Sequence, residues 1–237
     1  MMPPPHHGLV VALDGPASSG KSSVGAAAAV ELGYRFCDTG LLYRAATWLA
    51  RHREITPEQP TALAEIAREI HLEGDSRGRL SHVFVDQTDV TSHIRDAEVE
   101  AHVSAISRVP ELRAALLGRQ RDIASAGRII MAGRDIGTVV LPDADLKLYL
   151  NASVEERARR RAVERGIDPG DPDASAVLAD MRQRDTFDST RAVAPLRVPE
   201  DAIVFTTDGN RFEHTVALVV DSIRQAELAS EAAGSRR

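Results

Sequence analysis

Short, continuous apolar runs recur along the chain and are separated by longer segments rich in helix-forming residues. The apolar runs predict five core strands at residues 9–13, 34–37, 128–132, 146–150 and 202–205. The intervening segments predict helices at residues 22–32, 41–53, 154–164 and 211–228. Strands that alternate with helices favour a parallel sheet covered by helices on both faces, so we predict an α/β fold.

The pattern changes between residues 57 and 125, where helices and short strands are interleaved with turn residues. Helices are predicted at 61–70, 97–107 and 111–124, and short strands at 80–85 and near Val90. We therefore predict a core built from residues 9–56 and 126–228, with an α+β unit at 57–125 inserted into it. A second, smaller insertion at 165–176 is rich in Gly, Asp and Pro and predicts a mobile loop between two helices.

Both ends of the chain are expected to lie outside this core. Residues 1–8 form a Pro/His-rich segment that lacks the basic and apolar regions of a signal peptide, so we expect a flexible leader. Residues 229–237 are small and polar and are expected to fray.

Composition excludes several classes of protein. The chain is 43 % hydrophobic and 27 % charged with a net charge of −6, which argues against a general nucleic-acid-binding surface. No apolar stretch is long enough to cross a bilayer, so no membrane partner is expected. The single cysteine, Cys37, excludes an internal disulfide and fits a reducing compartment, so a cytoplasmic location is expected. The histidines show no metal-ligand spacing.

A Gly-x-x-x-x-Gly-Lys-Ser motif follows the first predicted strand and opens the first predicted helix. Its residues are Gly15, Pro16, Ala17, Ser18, Ser19, Gly20, Lys21 and Ser22, and Ser23 follows them. In this strand–loop–helix context the motif is a phosphate-binding loop, or P-loop, whose backbone N–H groups converge on a phosphate at a helix N-terminus. Lys21 would reach the β- and γ-phosphates, and the Ser22 hydroxyl would ligate Mg²⁺. The alternative is an incidental turn.

The second predicted strand leads into Asp38, Thr39, Gly40 and then Tyr43 and Arg44. In open α/β sheets, ligands bind at the carboxyl ends of the strands. Arg44, with Tyr43 beside it, is a candidate for holding an acceptor phosphate, and Asp38 for touching the water shell of Mg²⁺. The alternative is a helix cap formed by Asp38 and Thr39, followed by a solvated arginine.

The third predicted strand ends in Arg134 and Asp135, two charges at the edge of the sheet that also carries the P-loop. Charged groups in such a place are costly unless they bind something. We interpret them as ligand-binding residues, and a structural ion pair is the alternative.

Two further charged segments lie nearer the C-terminus. Arg184, Asp188 and Arg191 are spaced to share one helix face, which is either a surface ion-pair ladder or a substrate-facing stripe. Arg157 and Arg161 also share a face, within a charge run at 155–161. Charge runs usually form solvated surface, but this one leads into the loop at 165–176 and could fold over a bound nucleotide.

Taken together, these segments resemble the cytidylate kinase family, the bacterial enzymes that phosphorylate CMP and dCMP. The matching segments are 14–22, 38–44, 133–140, 142–144, 152–158, 184–185 and 191–196, in the family's order. The Gly-Arg-Asp-Ile-Gly-Thr-Val-Val block at 133–140 is specific to this family rather than to P-loop proteins in general. The resemblance implies the P-loop nucleoside monophosphate kinase fold, with a five-stranded parallel sheet, an acceptor-nucleotide insertion and a short lid at 157–176.

The resemblance also implies residue roles. ATP would be the donor, bound with Mg²⁺ at the P-loop, and CMP or dCMP the acceptor in pyrimidine nucleotide metabolism. Lys21, Arg134, Arg157 and Arg161 would serve catalysis. Arg44, Arg134 and Arg191 would hold the CMP phosphate, and Arg184 and Asp188 the sugar. Ser104, Arg113 and Asp135 would contact cytosine, with Asp38, Thr39 and Tyr43 also on the CMP side. A monomer is expected.

Two rival functions remain open from the sequence. A kinase acting on UMP or another small acceptor would share most of these features. A P-loop regulatory module would bind nucleotide and a protein partner without turnover. Arginines in four separate segments favour a kinase, because a switch does not need a second phosphate grip.

Overall fold

The computed structural model describes residues 8–168 and 171–234. Residues 1–7 of the expected leader, Pro169 and Gly170 of the expected loop, and residues 235–237 of the expected tail lie outside the described residues.

The described chain alternates strands and helices over most of its length. The strands are β1 (Val10–Asp14), β2 (Arg35–Asp38), β3 (Ile70–Gly74), β4 (Arg79–Val85), β5 (Thr88–Asp89), β6 (Ile129–Gly133), β7 (Leu146–Asn151) and β8 (Ile203–Thr206). The helices are α1 (Lys21–Leu32), α2 (Gly40–His52), α3 (Pro60–Ile66), α4 (Ala97–Ile106), α5 (Pro110–Ser125), α6 (Val154–Glu164), α7 (Pro172–Thr190) and α8 (Phe212–Gly234). A π-helical turn, Ile136–Val140, follows β6.

One sheet runs through the whole molecule, with strand order β3-β4-β2-β6-β1-β7-β8 and β5 paired to β4. Strands β2, β6, β1, β7 and β8 are parallel neighbours, which confirms the α/β fold and its five-stranded parallel core. The strands of the insertion do not form a separate sheet. β4 pairs in parallel with β2, and β3 and β5 pair antiparallel with β4, so the insertion extends the core sheet at one edge.

The N-terminal part of the insertion differs from the sequence expectation. The helix predicted at 61–70 ends at Ile66, a 3-10 turn covers Ala67–Glu69, and Ile70 begins β3. Ile70 pairs with Val85 of β4 and both are buried, so a cross-strand contact overrides local helix propensity at this point.

The C-terminal expectation needs a correction, because α8 continues through Gly234 and residues 229–234 are helical rather than frayed. Alanine and glutamate, which fill most of these positions, are strong helix formers. The helix is anchored earlier along its length, where Val219 and Ile223 are fully buried against the core, so its last turns extend an established helix. No helix within residues 8–168 and 171–234 is long and apolar enough to cross a bilayer.

Two hydrophobic clusters fix the geometry of the functional edge. One packs α1 and α8 on a face of the central strands, and the other packs α2 against the helices and strands of the insertion. Strands β1, β2 and β6 pack one face against the first of these clusters and end in Asp14, Asp38 and Gly133. The polar segments that follow these strands therefore emerge side by side at one edge of the sheet.

Gly25 of α1 allows this helix to lie directly on the sheet. A Cβ at this position would lie 2.6 Å from Phe36 Cε2 and 2.8 Å from Leu13 Cδ2. We expect Gly25→Val to lower the free energy of unfolding by about 1–3 kcal/mol, as overpacked cores do. Gly118→Ala on α5 is the control, because nothing lies within 4 Å of the added methyl group. It should raise the free energy of unfolding by about 0.5–1 kcal/mol. Denaturant unfolding measures both, and equal effects would contradict the packing argument.

Candidate active site

The P-loop joins β1 to α1 and approaches the neighbouring strand closely. A Cβ on Gly15 would lie 2.2 Å from the carbonyl oxygen of Leu150, so only glycine fits there. Gly20 has φ 93°, the left-handed conformation that starts α1 without strain only in glycine. Lys21 Nζ donates to the carbonyl oxygen of Pro16 at 2.9 Å. Burial, followed by the charge of Arg134, lowers the pKa of Lys21, so this ammonium group is short of compensating negative charge.

Ser22 and Asp38 bring two oxygen ligands together beside the P-loop. Ser22 Oγ donates to Asp38 Oδ2 at 2.7 Å, and Asp38 Oδ1 accepts from the backbone N–H of Gly40 at 2.9 Å. Asp38 thus satisfies a donor at the start of α2 and also faces the P-loop serine. A hydroxyl and a carboxylate are hard oxygen donors of the kind that Mg²⁺ prefers, so the residues fit a nucleotide-bound Mg²⁺. Thr39 does not cap the helix; its Oγ1 donates to the carbonyl oxygen of Ala132 and ties α2 to β6.

A cavity of about 840 Å³ opens from the P-loop toward the insertion. Its lining includes residues 17–23 of the P-loop and α1, and the acceptor-side candidates Asp38, Thr39, Tyr43, Arg44, Ser104, Arg113, Arg134, Asp135, Arg184, Asp188 and Arg191. Arg159, Arg160 and Arg161 of α6 line it from the opposite side. The structure therefore brings into one space residues that are more than 170 positions apart in the chain.

Positive charge is concentrated in the middle of this cavity. Arg134 Nη1 donates to the carbonyl oxygen of Gly15 at 3.1 Å, and its Nε lies 2.7 Å from Asp188 Oδ2. Burial, together with the nearby charges of Arg134 and Arg44, lowers the pKa of Arg184 to about 10. Guanidinium groups that destabilise one another's charge are favourable only where anions bind.

Glu100 on α4 lies among three of these arginines, and sequence reasoning missed it. Its carboxylate lies 2.6 Å from Arg44 Nη1, 2.8 Å from Arg161 Nη2 and 3.9 Å from Arg184 Nη1. Burial would raise the pKa of Glu100, but the charges of Arg44 and Arg161 outweigh it and lower the pKa to about 2. Arg44 is therefore not the solvated residue of the alternative interpretation. The sequence did contain a signal that could have identified Glu100: it precedes the candidate Ser104 by four residues, which places both residues on the same face of α4.

The insertion side of the cavity contains a buried polar cluster. Arg113 Nη2 donates to Asp135 Oδ2 at 2.6 Å, and the Arg113 guanidinium lies 5.1 Å from the centre of the Tyr43 ring. Arg191 Nη2 is 3.6 Å from Asp135 Oδ1, beyond hydrogen-bonding distance. Within residues 8–168 and 171–234, Arg113 Nε and Arg191 Nη2 are buried donors without a hydrogen-bond acceptor. Unmatched buried donors are rare, and they suit a site that receives a polar ligand.

Asp14, at the end of β1, positions the segment that carries Arg134 and Asp135. Its two carboxylate oxygens accept from the backbone N–H groups of Ile136 at 2.8 Å and Gly137 at 2.7 Å. Complete burial raises the pKa of Asp14 to about 6, and these two hydrogen bonds oppose the shift. The carboxylate thereby anchors the turn after β6 directly beside the P-loop.

Arg157, for which a catalytic role in the lid is predicted, is buried beside the cavity rather than lining it. It is 4 % exposed and does not belong to the described lining of the cavity. Nη1 and Nη2 form a bidentate pair with Asp185 at 2.9 and 2.5 Å, and Nε donates to the carbonyl oxygen of Ala152 at 2.9 Å. Nη1 also donates to the carbonyl oxygen of Ala17 in the P-loop at 3.4 Å, so Arg157 links α6 to α7 and to the P-loop, and its catalytic role stays a prediction. The sequence reasoning missed Arg160, which lines the cavity and donates to Thr207 Oγ1 at 2.9 Å.

A P-loop lysine and a second set of arginines that line one cavity are the features of a P-loop kinase, in which catalysis consists of positioning and charge stabilisation. The cytidylate kinase family model matches residues 11–225. The cytidylate kinase of Streptococcus gordonii is 43 % identical over 221 residues, covering 92 % of this chain and 97 % of that protein. The cytidylate kinase of Nocardia farcinica is 44 % identical over 228 residues, covering 96 % of this chain and 97 % of that protein. The chain belongs to the cytidylate kinase family and is a nucleoside monophosphate kinase.

The cluster of buried guanidinium groups predicts that small anions stabilise the folded protein. Inorganic phosphate should raise the thermal unfolding midpoint more than sodium chloride does at equal ionic strength, because a ligand of the native state adds RT ln(1 + [L]/Kd) to its stability. Differential scanning fluorimetry measures the rise. It should shrink in Arg134→Ala but not in the control Arg224→Ala, whose side chain is half exposed and pairs with Glu31. An equal rise in the two variants would show that phosphate acts through general salt effects.

Proposed function

We propose that this protein transfers the γ-phosphoryl group of ATP to CMP and dCMP in an in-line step, giving CDP or dCDP and ADP. One observation carries the proposal: Arg134, on the acceptor side, donates to the carbonyl oxygen of Gly15 in the P-loop itself at 3.1 Å. A donor phosphate bound to the P-loop N–H groups and an acceptor phosphate bound to Arg134 would therefore be immediate neighbours, as a direct transfer requires.

The donor phosphates would bind to the P-loop N–H groups and to Lys21, whose ammonium group is buried and short of negative charge. Ser22 and Asp38 would hold Mg²⁺ on the nucleotide. When bound, Mg²⁺ would neutralise part of the negative charge on the β- and γ-phosphates.

The acceptor would lie between the arginine cluster and the insertion. Arg44, Arg134 and Arg191 would hold its phosphate, and Arg184 and Asp188 its sugar. Asp135 would accept from the exocyclic amino group of cytosine, while Arg113 and Ser104 would donate to its O2 and N3 acceptors. The unmatched buried donors Arg113 Nε and Arg191 Nη2 support a polar ligand at this position.

No protein nucleophile is needed, because the acceptor oxygen belongs to a phosphate whose second pKa is about 6 and which is largely ionised at neutral pH. Catalysis then consists of positioning and of stabilising the charge that develops during transfer. Lys21, Arg134 and Arg161 would supply that charge. The segment 157–176 would act as the lid that excludes water and so suppresses ATP hydrolysis. The proposed enzyme is a monomer. Its partners are ATP, CMP and dCMP, and it binds neither nucleic acid nor a membrane.

A coupled ADP-release assay across CMP, dCMP, UMP and AMP tests the reaction. We expect CMP and dCMP to give ADP release at rates far above the acceptor-free background and above those with UMP and AMP. A higher rate with UMP would identify a different acceptor. ATP binding without acceptor-dependent release would indicate a regulatory module.

Asp135 should set the preference for cytosine over uracil. Uracil places a carbonyl oxygen where cytosine has its amino group, so the Asp135 carboxylate would meet an acceptor, and sites built around one hydrogen bond reject such analogues strongly. We expect Asp135→Ala to reduce the CMP-to-UMP ratio of kcat/KM by about 5- to 150-fold, which corresponds to about 1–3 kcal/mol for an unpaired buried group. The control is Asp201→Ala, an exposed partner of Lys147 outside the cavity lining. An unchanged ratio in Asp135→Ala would remove this role.

A further inference from the structure

Glu100 connects three helices of the phosphate-binding region through one carboxylate. Its partners are Arg44 on α2, Arg161 on α6 and Arg184 on α7, while Glu100 itself belongs to α4 of the insertion. Arg161 and Arg184 thereby meet the insertion through a side chain that lies across the cleft from their own helices.

The surroundings of this carboxylate distinguish it from the ordinary surface ion pairs of the same helix. The side chain of Glu100 is 16 % exposed and that of its partner Arg44 is 12 % exposed. Glu98 lies two residues before Glu100 on α4 and pairs with Arg51 of α2. The side chains of this second pair are 70 % and 46 % exposed. Ion pairs at exposed positions contribute little, while a partly buried pair holds its geometry because water competes less for each group. Glu100 therefore fixes the position of its partners, and Glu98 does not.

Glu100 acts through these arginines rather than by touching a substrate. All three arginines belong to the lining of the cavity, and Glu100 is absent from the part of the lining that the structure describes. Among the ion pairs of the described residues, Arg161 also pairs with Glu164, at 3.1 Å on its own helix, and that side chain is 56 % exposed. Without Glu100, Arg161 would lose its less exposed partner and its fixed position at the cavity.

We propose that Glu100 is a positioning residue that holds Arg161 at the phosphoryl-transfer site and links it to Arg44 on the acceptor side. The arginine from the lid helix and the arginine for the acceptor phosphate are then set in place by the same carboxylate. The inference rests on the function proposed above, in which Arg161 stabilises the transferring phosphoryl group and Arg44 holds the acceptor phosphate.

The first test is the steady-state kinetics of Glu100→Gln. We expect kcat to fall about tenfold, since small displacements of catalytic groups cost up to about 10²-fold. KM for CMP should rise by less than kcat falls, because Arg134 and Arg191 would still hold the acceptor phosphate when Arg44 is displaced. A merely structural role would instead raise KM for CMP without lowering kcat, since α4 also carries the candidate base contact Ser104 one turn further along.

One matched control accompanies this variant. Glu98→Gln makes the same chemical change on the same helix, at a carboxylate that pairs with Arg51 outside the cavity lining. It should keep kcat within about twofold of the unmodified enzyme, as solvent-exposed ion pairs contribute little. An equal loss of kcat in Glu98→Gln would show that removal of any carboxylate charge from α4 has this effect, which would overturn the specific role of Glu100.

A double-mutant cycle decides whether Glu100 acts through Arg161. Arg161→Ala should lower kcat by about 10³-fold, as the loss of an arginine at a transferring phosphoryl group does. In that background Glu100→Gln should change kcat by less than about twofold, because coupled residues are not additive. If the two losses multiplied, the proposal would be wrong.

The outcomes also separate this inference from the function it rests on. An unmodified enzyme that releases no ADP with CMP would refute the proposed function. An unchanged kcat in Arg161→Ala would remove the role of Arg161, and this inference with it, while CMP phosphorylation would stand.

Thermal unfolding checks that each variant is folded. Should Glu100→Gln not fold, Glu100→Asp replaces it, because its charge is kept but ends one methylene short. An unchanged kcat in Glu100→Asp would then contradict the proposal.

Discussion

The organisation of this protein depends on gathering cationic side chains at one edge of a parallel sheet. Lys21, Arg134 and Arg184 are held close enough that burial and neighbouring charge lower the pKa of Lys21 and of Arg184. Such an arrangement is unfavourable in the absence of anions, and it is maintained by the hydrophobic packing of α1, α2 and α8 around the central strands. The free energy of that packing offsets the electrostatic repulsion, which phosphate groups would relieve on binding. The site therefore favours phosphorylated ligands before any specific contact is considered.

Internal carboxylates divide this positive cavity into regions with different tasks. Asp38 pairs with Ser22 next to the P-loop, Asp135 pairs with Arg113 on the insertion side, and Glu100 lies among the arginines between them. Each carboxylate orients a donor group while leaving other donors available to a ligand. The relation to the cytidylate kinases, over residues 11–225, agrees with a site whose two ends serve two nucleotides.

Much of the fold was predictable from the sequence because its signals are local. The five core strands were expected within one residue of their observed starts, and α6 was expected at its observed bounds, since buried apolar runs and capped helices carry their own patterns. β3 was missed, because Ile70 and its neighbours become a strand only by pairing with β4. The end of α8 was also misjudged, because a polar composition does not distinguish a frayed tail from the exposed turns of an anchored helix.

The sequence by itself determined the chemistry at this site, and the tertiary structure determined which charges meet. The P-loop and the arginine-bearing strand ends are recognisable because backbone requirements and strand–helix context act over a few residues. Whether an arginine serves a ligand or the scaffold depends on partners far along the chain. Arg157 and Arg161 share one helix face and were given the same role. Arg157 is buried and forms a bidentate ion pair with Asp185. Arg161 lines the cavity and pairs with Glu100. Only the folded chain makes that distinction, because those carboxylates come from α7 and from the insertion, and their distance from α6 is a property of packing.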